Sequence, residues 1–253
     1  YAVLYLSGYK DISINDIRRF RQLGSPTAGH PEFGDLDGIE TTTGPLSQGF
    51  ANGVGFAIAE KILSSVFGGR TINHFTYVFA GDGCLMEGLS HEASSLAGHL
   101  ALSKLIVFFD DNSISIDGPT KLSSSEKTIQ RYNSYGWNTI KINGHNHKEI
   151  SKAISNAKKS NKPTLIACKT KIGFGSPNKE SKSSSHGSPL GEEEIKLTRL
   201  NLNWPHKPFE IPNNYLKEWR EFHTRNKKVK KYWENKNKNL SQSSNYKDFF
   251  SKS

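Results

Sequence analysis

Short apolar runs alternate with amphipathic stretches through most of the 253-residue chain. Four of the runs are rich in β-branched and aromatic residues, which is typical of buried strands. They are residues 75–80, 105–109, 138–142 and 163–169. Between them, residues 89–100 and 147–160 repeat apolar side chains at helical spacing. This alternation predicts an α/β fold, a doubly wound and mostly parallel sheet with helices on both faces.

Helices are also predicted outside the alternating region. They are residues 1–9, the end of an apolar helix, and residues 15–23, 48–67, 123–135, 192–200 and 213–238. The expected cap of the helix at 15–23 is Ser13 or Asn15. Residues 239–253 are rich in serine, asparagine and lysine and are expected to be a frayed end or a linker.

The expected domain organisation follows from these elements. We expect residues 1–212 to form the α/β domain, and residues 213–253 to form a helical extension towards a further domain. Because the sequence starts inside a helix without a capping residue, we also expect an N-terminal segment to precede it.

The chain has a formal net charge of +10 at pH 7. Such a charge attracts nucleic acid, phospholipid or phosphorylated metabolites, but lysine-rich solvated loops explain it as well. Aromatic residues lie among the lysines of residues 213–238, a pattern that also occurs in single-strand binders. We favour a helix whose aromatic side chains pack on the domain while its lysines stay in water over one that binds nucleic acid. No recognised nucleic-acid-binding module accompanies the charge. No nucleic-acid partner is therefore expected.

The two cysteines, Cys84 and Cys168, form neither a disulfide framework nor a CxxC metal site. They favour a reducing, cytoplasmic location. We expect that no apolar run is long enough to span a bilayer; no signal peptide opens the sequence either, so no membrane association is expected.

Polar side chains follow the first two predicted strands. Asp82 stands between Gly81 and Gly83, and Asn112 follows the second strand. A right-handed crossover would make these strands parallel and bring their carboxyl ends to one edge of the sheet. A carboxylate, an amide oxygen and a backbone carbonyl suit Mg²⁺ or Ca²⁺, especially beside phosphate oxygens. The alternative is an ordinary strand–helix–strand unit whose Asp and Asn cap turns.

A GDG sequence followed about thirty residues later by an Asn at a strand end resembles the thiamine diphosphate (ThDP) motif. The wider text CLMEG…SLAG…DDNSISIDG resembles transketolase in particular. Two long loops extend the resemblance, residues 24–43 with GHPE, leading into TTTGPLSQG, and residues 170–191 with KIGFGSPNK and SHGSPLG. Ser47 stands where this family commonly has Gly, and Ala28 where it often has Pro. The resemblance covers essentially the whole chain and corresponds to the diphosphate-binding domain of transketolase.

The resemblance implies a set of site residues. Mg²⁺, for which Ca²⁺ or Mn²⁺ can substitute, would be held by Asp82, the Asn112 side chain and the Ile114 carbonyl. ThDP would be contacted by Gly44, Leu46, Gly83, Ile116 and His186, with Lys169 nearby. His30 and His186 are the implied catalytic residues, and Glu87 would couple two cofactor sites near a dimer axis. From the residues alone, His30 is a turn histidine, His186 an exposed loop histidine and Glu87 a favourable helix N-terminal acid.

The implied activity is transfer of a two-carbon ketol unit from a ketose phosphate to an aldose phosphate, in the pentose phosphate pathway. A homodimer or a separate chain would supply the pyrimidine domain with its catalytic glutamate. We therefore expect this chain alone to bind Mg·ThDP weakly and to lack ketol transfer. The alternatives are half of a split or degenerate ThDP protein, another ThDP enzyme such as 1-deoxyxylulose-5-phosphate synthase or phosphoketolase, and a non-catalytic binding module.

Overall fold

The computed structural model describes residues 1–251, which divide into two compact units. The first unit comprises Tyr1–Gly44, Ile62–Asn73 and the chain from His206 onward. The second comprises Pro45–Lys61 and His74–Pro205. The boundary that we expected after residue 212 stays a prediction.

The described residues form six strands and ten α-helices. The strands are β1 (Thr76–Gly81), β2 (Leu105–Asp111), β3 (Ile114–Ser115), β4 (Gly118–Pro119), β5 (Asn138–Asn143) and β6 (Thr164–Lys169). The helices are α1 (Ala2–Ser7), α2 (Ile14–Arg18), α3 (Leu46–Phe67), α4 (Asp82–Met86), α5 (Gly88–His99), α6 (Thr128–Ser134), α7 (His147–Ala157), α8 (Glu192–Asn201), α9 (Asn213–Lys236) and α10 (Ser244–Ser251). The four predicted strands are confirmed as β1, β2, β5 and β6.

The second unit is built on one parallel sheet with the strand order β1-β2-β6-β5. Each pair of neighbours is parallel, so the carboxyl ends of all four strands lie at one edge. Both faces of β2 and β6 are covered, so successive side chains of these two strands pack alternately into one of two cores. On one face, Leu105 and Val107 pack in a core with residues of α3, α5 and α6. On the other, Ile106 and Ile166 pack with residues of α7. The predicted α/β architecture with helices on both faces is confirmed.

Helix α3 meets the length and hydropathy criteria for a membrane span, with a mean hydropathy of 1.2. Our interpretation that no apolar run is long enough was therefore wrong for this helix, as judged by length and composition. Core helices of globular domains meet the same criteria, and Phe50, Val54 and Ala57 of α3 are buried in the core. The criterion is weak evidence for a membrane segment.

Several helix boundaries differ from the prediction for local reasons. α2 ends at Arg18 instead of residue 23, and Ser13 is its cap, in a capping box with Asp16. α6 begins at Thr128, five residues later than predicted, after the 3₁₀ turn Thr120–Leu122. The hydroxyl of Ser124 accepts from the Glu126 N–H in the intervening segment, and such local bonds compete with helix formation.

The first unit is helical, and its C-terminal part corrects one expectation. The segment predicted to be frayed contains the 3₁₀ turn Leu240–Gln242 and helix α10. Tyr246, Phe249 and Phe250 of α10 surround the Phe67 ring, with ring centroids 5.7 to 6.5 Å from it. This aromatic packing orders the segment despite its polar composition. Residues 252 and 253 lie outside the described residues.

Candidate functional site

The site begins where β1 and β2 end. Gly81 is paired with Asp110 in the parallel register, so the residues that follow each strand come out side by side. Asp82 opens the short helix α4 directly after β1, and Asn112 follows β2. The predicted juxtaposition of these two polar residues at the carboxyl edge is confirmed, because both line the same cleft.

The Asp82 carboxylate is in an unfavourable environment for a negative charge. Its Oδ2 atom is buried and has no hydrogen-bond partner among the described residues. Burial raises the pKa of Asp82 to about 6, helped by the charges of Asp111 and Asp110, while Lys169 opposes the shift. A bound cation would offset both the desolvation cost of the buried negative charge and the repulsion between the carboxylates.

Asn112 forms a tight turn between β2 and β3. Its side-chain carbonyl accepts from the Ile114 N–H at 2.9 Å, and its amide donates to Asp110 Oδ2 at 3.0 Å. Ser113 has a φ of 65°, a left-handed conformation that is costly for a non-glycine residue. The Asn112 oxygen keeps a second lone pair, so the turn can present two oxygen ligands, this amide and the Ile114 carbonyl.

The end of β6 holds this turn from the neighbouring strand. Lys169 Nζ donates to Ser113 Oγ at 2.5 Å and to Asp111 Oδ1 at 3.3 Å. Thr170 donates from its hydroxyl to Asp110 Oδ1 and from its backbone N–H to the Asp111 carbonyl at 3.3 Å. Lys169 and Thr170 thus contact the residues on both sides of Asn112.

A cleft of about 680 Å³ opens above these strand ends. This volume is typical of a small-molecule or cofactor site. Its lining includes seven of the residues that the sequence predicted, namely Leu46, Asp82, Gly83, Asn112, Ile114, Ile116 and His186. Ile116 is at the tip of the β3–β4 hairpin, which the sequence did not predict, and its side chain is 70% exposed.

The start of α3 forms one wall of the cleft. A Cβ placed on Gly83 would lie 3.2 Å from Leu46 Cδ1, so a side chain at position 83 would crowd Leu46. Glu87 Oε2 accepts from the Ser47 backbone N–H at 3.1 Å and also from the Ser47 hydroxyl. Glu87 therefore fastens the start of α3 to the segment that carries Asp82.

The two predicted catalytic histidines occupy different surroundings. His186 is exposed, follows the 3₁₀ turn Ser183–Ser185 and donates its backbone N–H to the Ser183 carbonyl at 2.8 Å. His30 belongs to the first unit, where it lies beside Gly44: a Cβ placed on Gly44 would be 3.7 Å from His30 Cδ2. His30 and Gly44 are thus neighbours within the first unit.

Two residues that support the site were missed. Glu194 of α8 is buried and accepts from the Ser176 hydroxyl, the Asn178 N–H at 2.8 Å and the Asn178 amide at 2.9 Å. These bonds lower the pKa of Glu194 to about 2 and fix the loop that carries His186. The sequence feature that could have identified Glu194 is its place as an acid in the first turn of a predicted helix, directly after a long loop.

The second missed residue is Arg131 of α6. It donates to the Leu85 carbonyl at 2.9 Å and forms an ion pair with Glu126 at 3.1 Å, and its guanidinium contacts His91. Leu85 belongs to the helix that starts at Asp82, so Arg131 ties α6 to the Asp82 segment. No sequence pattern predicts this contact, because Leu85 and His91 are 46 and 40 residues away from Arg131 in the chain.

Within residues 1–251, no group of three His, Cys, Asp or Glu side chains is arranged to hold a metal ion. The ligand set suggested above needs only one carboxylate, with an amide and a backbone carbonyl. This composition is compatible with a hard divalent cation that takes its remaining ligands from water or phosphate.

Comparison with known proteins agrees with this geometry. The family model described as "Transketolase, thiamine diphosphate binding domain" matches residues 1–249. The chain is 56% identical over 223 residues to transketolase 2 of Vibrio vulnificus, which covers 87% of this chain and 34% of that protein. It is 54% identical over 224 residues to the transketolase of Buchnera aphidicola subsp. Schizaphis graminum, with the same coverage. The chain thus spans about a third of the length of these relatives.

Solved structures give the same result. Transketolase from Campylobacter jejuni superposes with a TM-score of 0.91 at 42% identity, over 96% of this chain and 39% of that one. Transketolase from Pichia stipitis in complex with sedoheptulose-7-phosphate superposes with a TM-score of 0.90 at 43% identity, over 96% of this chain and 36% of that one. With a family model matching nearly all of its residues, this chain belongs to the transketolase thiamine diphosphate binding domain family.

Proposed function

We propose that this chain supplies the metal- and diphosphate-binding half of a transketolase that requires Mg²⁺ and ThDP. The proposed reaction transfers a two-carbon ketol unit from a ketose phosphate to an aldose phosphate in the cytoplasmic pentose phosphate pathway. The observation that carries the proposal is the buried, unpartnered Oδ2 of Asp82 beside the Asn112 turn, in one cleft. The Pichia stipitis structures, which contain sedoheptulose-7-phosphate, xylulose-5-phosphate and fructose-6-phosphate, support sugar phosphates as substrates.

The donor set fits Mg²⁺. Asp82 offers a carboxylate whose Oδ2 lacks a hydrogen-bond partner, Asn112 an amide oxygen with a free lone pair, and Ile114 a backbone carbonyl. All are hard oxygen ligands, and the diphosphate of ThDP would supply further ones. Ca²⁺ and Mn²⁺ prefer the same type of ligand and are expected to substitute.

The remaining cleft residues suit ThDP. Gly83 leaves room for the backbone to approach a phosphate, and Leu46 and Ile116 offer apolar contacts for the aminopyrimidine. His186 stands at the cleft with its side chain exposed, where it can contact the diphosphate and the substrate. ThDP, when bound, supplies the electron sink for breaking and forming the carbon–carbon bond, while the protein orients it.

Residues outside the cleft complete the proposal. His30, beside Gly44, is proposed to contact the donor sugar, and Gly44 to contact the aminopyrimidine. Glu87 is proposed to couple two cofactor sites in a homodimer, or across the contact with a separate chain that carries the pyrimidine domain. Because this chain matches only 34% of the length of its relative from Vibrio vulnificus, we expect no ketol transfer from the 253-residue chain alone.

The test is a ThDP titration of the purified chain with and without Mg²⁺, followed by tryptophan fluorescence and calorimetry. We expect weak binding that requires Mg²⁺ and is lost in Asp82→Asn, which removes the charge but keeps the shape. Asp248→Asn, in α10, removes the same charge outside the cleft and should leave binding unchanged. Metal-dependent ThDP binding that persists in Asp82→Asn would refute the assigned site.

A further inference from the structure

The Asn112 turn contains the least favourable backbone conformation of the cleft. Ser113 adopts a φ of 65°, and the residues on either side of it would provide two of the three proposed protein ligands. A left-handed serine is less stable than the same residue in an ordinary conformation, so the turn needs contacts that hold it. Its internal bond, from the Ile114 N–H to Asn112 Oδ1, uses one of the ligand oxygens itself.

Lys169 provides an external contact that uses no ligand atom. Its ammonium group bonds Ser113 Oγ at 2.5 Å and Asp111 Oδ1 at 3.3 Å, one residue on each side of Asn112. The parallel register places Lys169 directly opposite Asp111, so β6 fixes where the ammonium group originates. Lys169 therefore bridges the turn from a strand that the turn does not belong to.

We propose that Lys169 is a positioning residue that pre-forms the Asn112 turn and thereby makes the site prefer Mg²⁺ over Ca²⁺. This inference rests on the proposed function. Mg²⁺ requires near-octahedral ligands at short distances, whereas Ca²⁺ accepts longer and more variable ones. A turn held in one conformation suits the smaller ion, and a loosened turn penalises Mg²⁺ more than Ca²⁺.

A contact with diphosphate alone would have a different signature. In that case Lys169 would contribute the same attraction whichever metal accompanied ThDP, and its loss would weaken both complexes equally. The ratio of the Mg²⁺ and Ca²⁺ midpoints therefore separates a positioning role from a simple charge contact. Global stability should barely change, because half of the Lys169 side chain is exposed and surface ion pairs contribute little.

The experiment compares the 253-residue chain with Lys169→Met, Lys169→Arg and Lys171→Met. Lys171 forms an ion pair with Glu180 at 2.7 Å, and it is the matched control for loss of one lysine at this end of β6. The first measurement is amide hydrogen exchange of residues 112–116 without metal. We expect exchange about five-fold faster in Lys169→Met than in the unchanged chain, and no change in Lys171→Met.

The second measurement titrates Mg²⁺ or Ca²⁺ at saturating ThDP. In Lys169→Met we expect the Mg²⁺ midpoint to rise about five- to ten-fold and the Ca²⁺ midpoint less than about two-fold. Arginine keeps donors that can reach both oxygens, so Lys169→Arg should restore most of the Mg²⁺ preference. Equal shifts for the two metals, or unchanged exchange at residues 112–116, would overturn the positioning role. If the unchanged chain bound no ThDP with either metal, the proposed function would be overturned. The hydrogen-exchange measurement would still test whether Lys169 holds the turn.

Discussion

The Ser47 hydroxyl and the Ser47 backbone N–H both donate to Oε2 of Glu87, the latter at 3.1 Å. Ser47 is the second residue of α3 and is 3% exposed, whereas Glu87 joins α4 to α5. A carboxylate at the start of a 22-residue helix satisfies free N–H groups and interacts favourably with the helix dipole. Glu87 is thus a cap for α3 as well as the residue to which the family resemblance gives a coupling role.

Ser47→Ala is expected to lower the free energy of unfolding by about 1 to 2 kcal/mol, since it removes a bond to a charged acceptor. The backbone bond to Glu87 remains in this variant. Ser47→Gly, which introduces the residue commonly found in the family, should cost about 1 kcal/mol more because glycine is unfavourable in a helix. Urea unfolding followed by circular dichroism measures both.

The control for these variants is Ser65→Ala, an exposed serine near the end of the same helix. It should change stability by less than about 0.5 kcal/mol. Equal stability of Ser47→Ala and the unchanged chain would mean that the hydroxyl bond to Glu87 does not form in solution.

Glu194→Gln is expected to destabilise the chain in a pH-dependent way. Hydrogen bonds from Ser176 and Asn178 hold the pKa of Glu194 at about 2, below its ordinary value of 4.5. A lowered folded-state pKa stabilises the fold above pH 4.5, and this contribution is lost as the pH falls towards 2. The difference in urea midpoint between Glu194→Gln and the unchanged chain should therefore be largest near pH 7 and shrink by pH 3.

Glu193→Gln provides the comparison, because Glu193 is a neighbouring glutamate whose side chain is 83% exposed. Its effect should be small at both pH values. Hydrogen exchange of residues 176–187 adds a local measurement, and we expect faster exchange in Glu194→Gln alone. A pH-independent difference for Glu194→Gln would contradict the assignment of these bonds to the ionised carboxylate.

Asp82→Asn is expected to stabilise the metal-free chain at neutral pH. Burial and neighbouring carboxylates raise the pKa of Asp82 to about 6, so the folded state binds a proton more tightly than the unfolded state does. Stability therefore falls as the pH rises from about 4 to about 6, and the cost is fully present above pH 6. In EDTA, Asp82→Asn should melt at a higher temperature than the unchanged chain at pH 7.5, and at about the same temperature near pH 4.

Addition of Mg²⁺ and ThDP at pH 7.5 should reverse this order. The unchanged chain then gains stability by binding, whereas Asp82→Asn does not. If the variant and the unchanged chain differed by the same amount at pH 4 and pH 7.5 in EDTA, the charge on Asp82 would not be the source of the cost.

Gly98→Ala is expected to disrupt packing between α5 and the segment after α6. A Cβ on Gly98 would lie 1.8 Å from the Tyr135 carbonyl oxygen, and a backbone atom cannot move aside as a flexible side chain can. We expect a loss of about 3 kcal/mol or more in unfolding free energy. Gly88→Ala, in the first turn of the same helix, meets nothing within 4 Å and should be neutral or slightly stabilising. Thermal unfolding of the two variants distinguishes the sites, and similar losses in both would contradict the packing.

The strong sequence signals in this chain are those with a regular period. The buried strands β2 and β6 are apolar on both faces, and the right-handed crossover rule predicts that Asp82 lies near Asn112. The β3–β4 hairpin escaped prediction because its strands have only two residues each. A two-residue strand is too short to show the alternation of apolar and polar residues that predicts a strand.

Helix α10 shows a different limit. Its aromatic residues Tyr246, Phe249 and Phe250 recur at helical spacing, but the serines, asparagines and lysines around them suggested a linker. Their packing on Phe67 depends on a partner about 180 residues away in the chain. Bonds such as those from Ser47 to Glu87 and from Lys169 to Ser113 have the same character, since they depend on tertiary proximity that no local pattern encodes.

Strand β1 has only one neighbour, β2, among the described strands, and it presents Phe79 with 81% of its surface exposed. Phe79 stacks on Phe108 with ring centroids 5.1 Å apart, so the exposed face is flat and aromatic. An open strand edge next to such a face favours pairing with another extended chain. Solutions of this polypeptide should therefore become turbid with rising protein concentration and temperature, and a charged substitution at Phe79 should keep them clear.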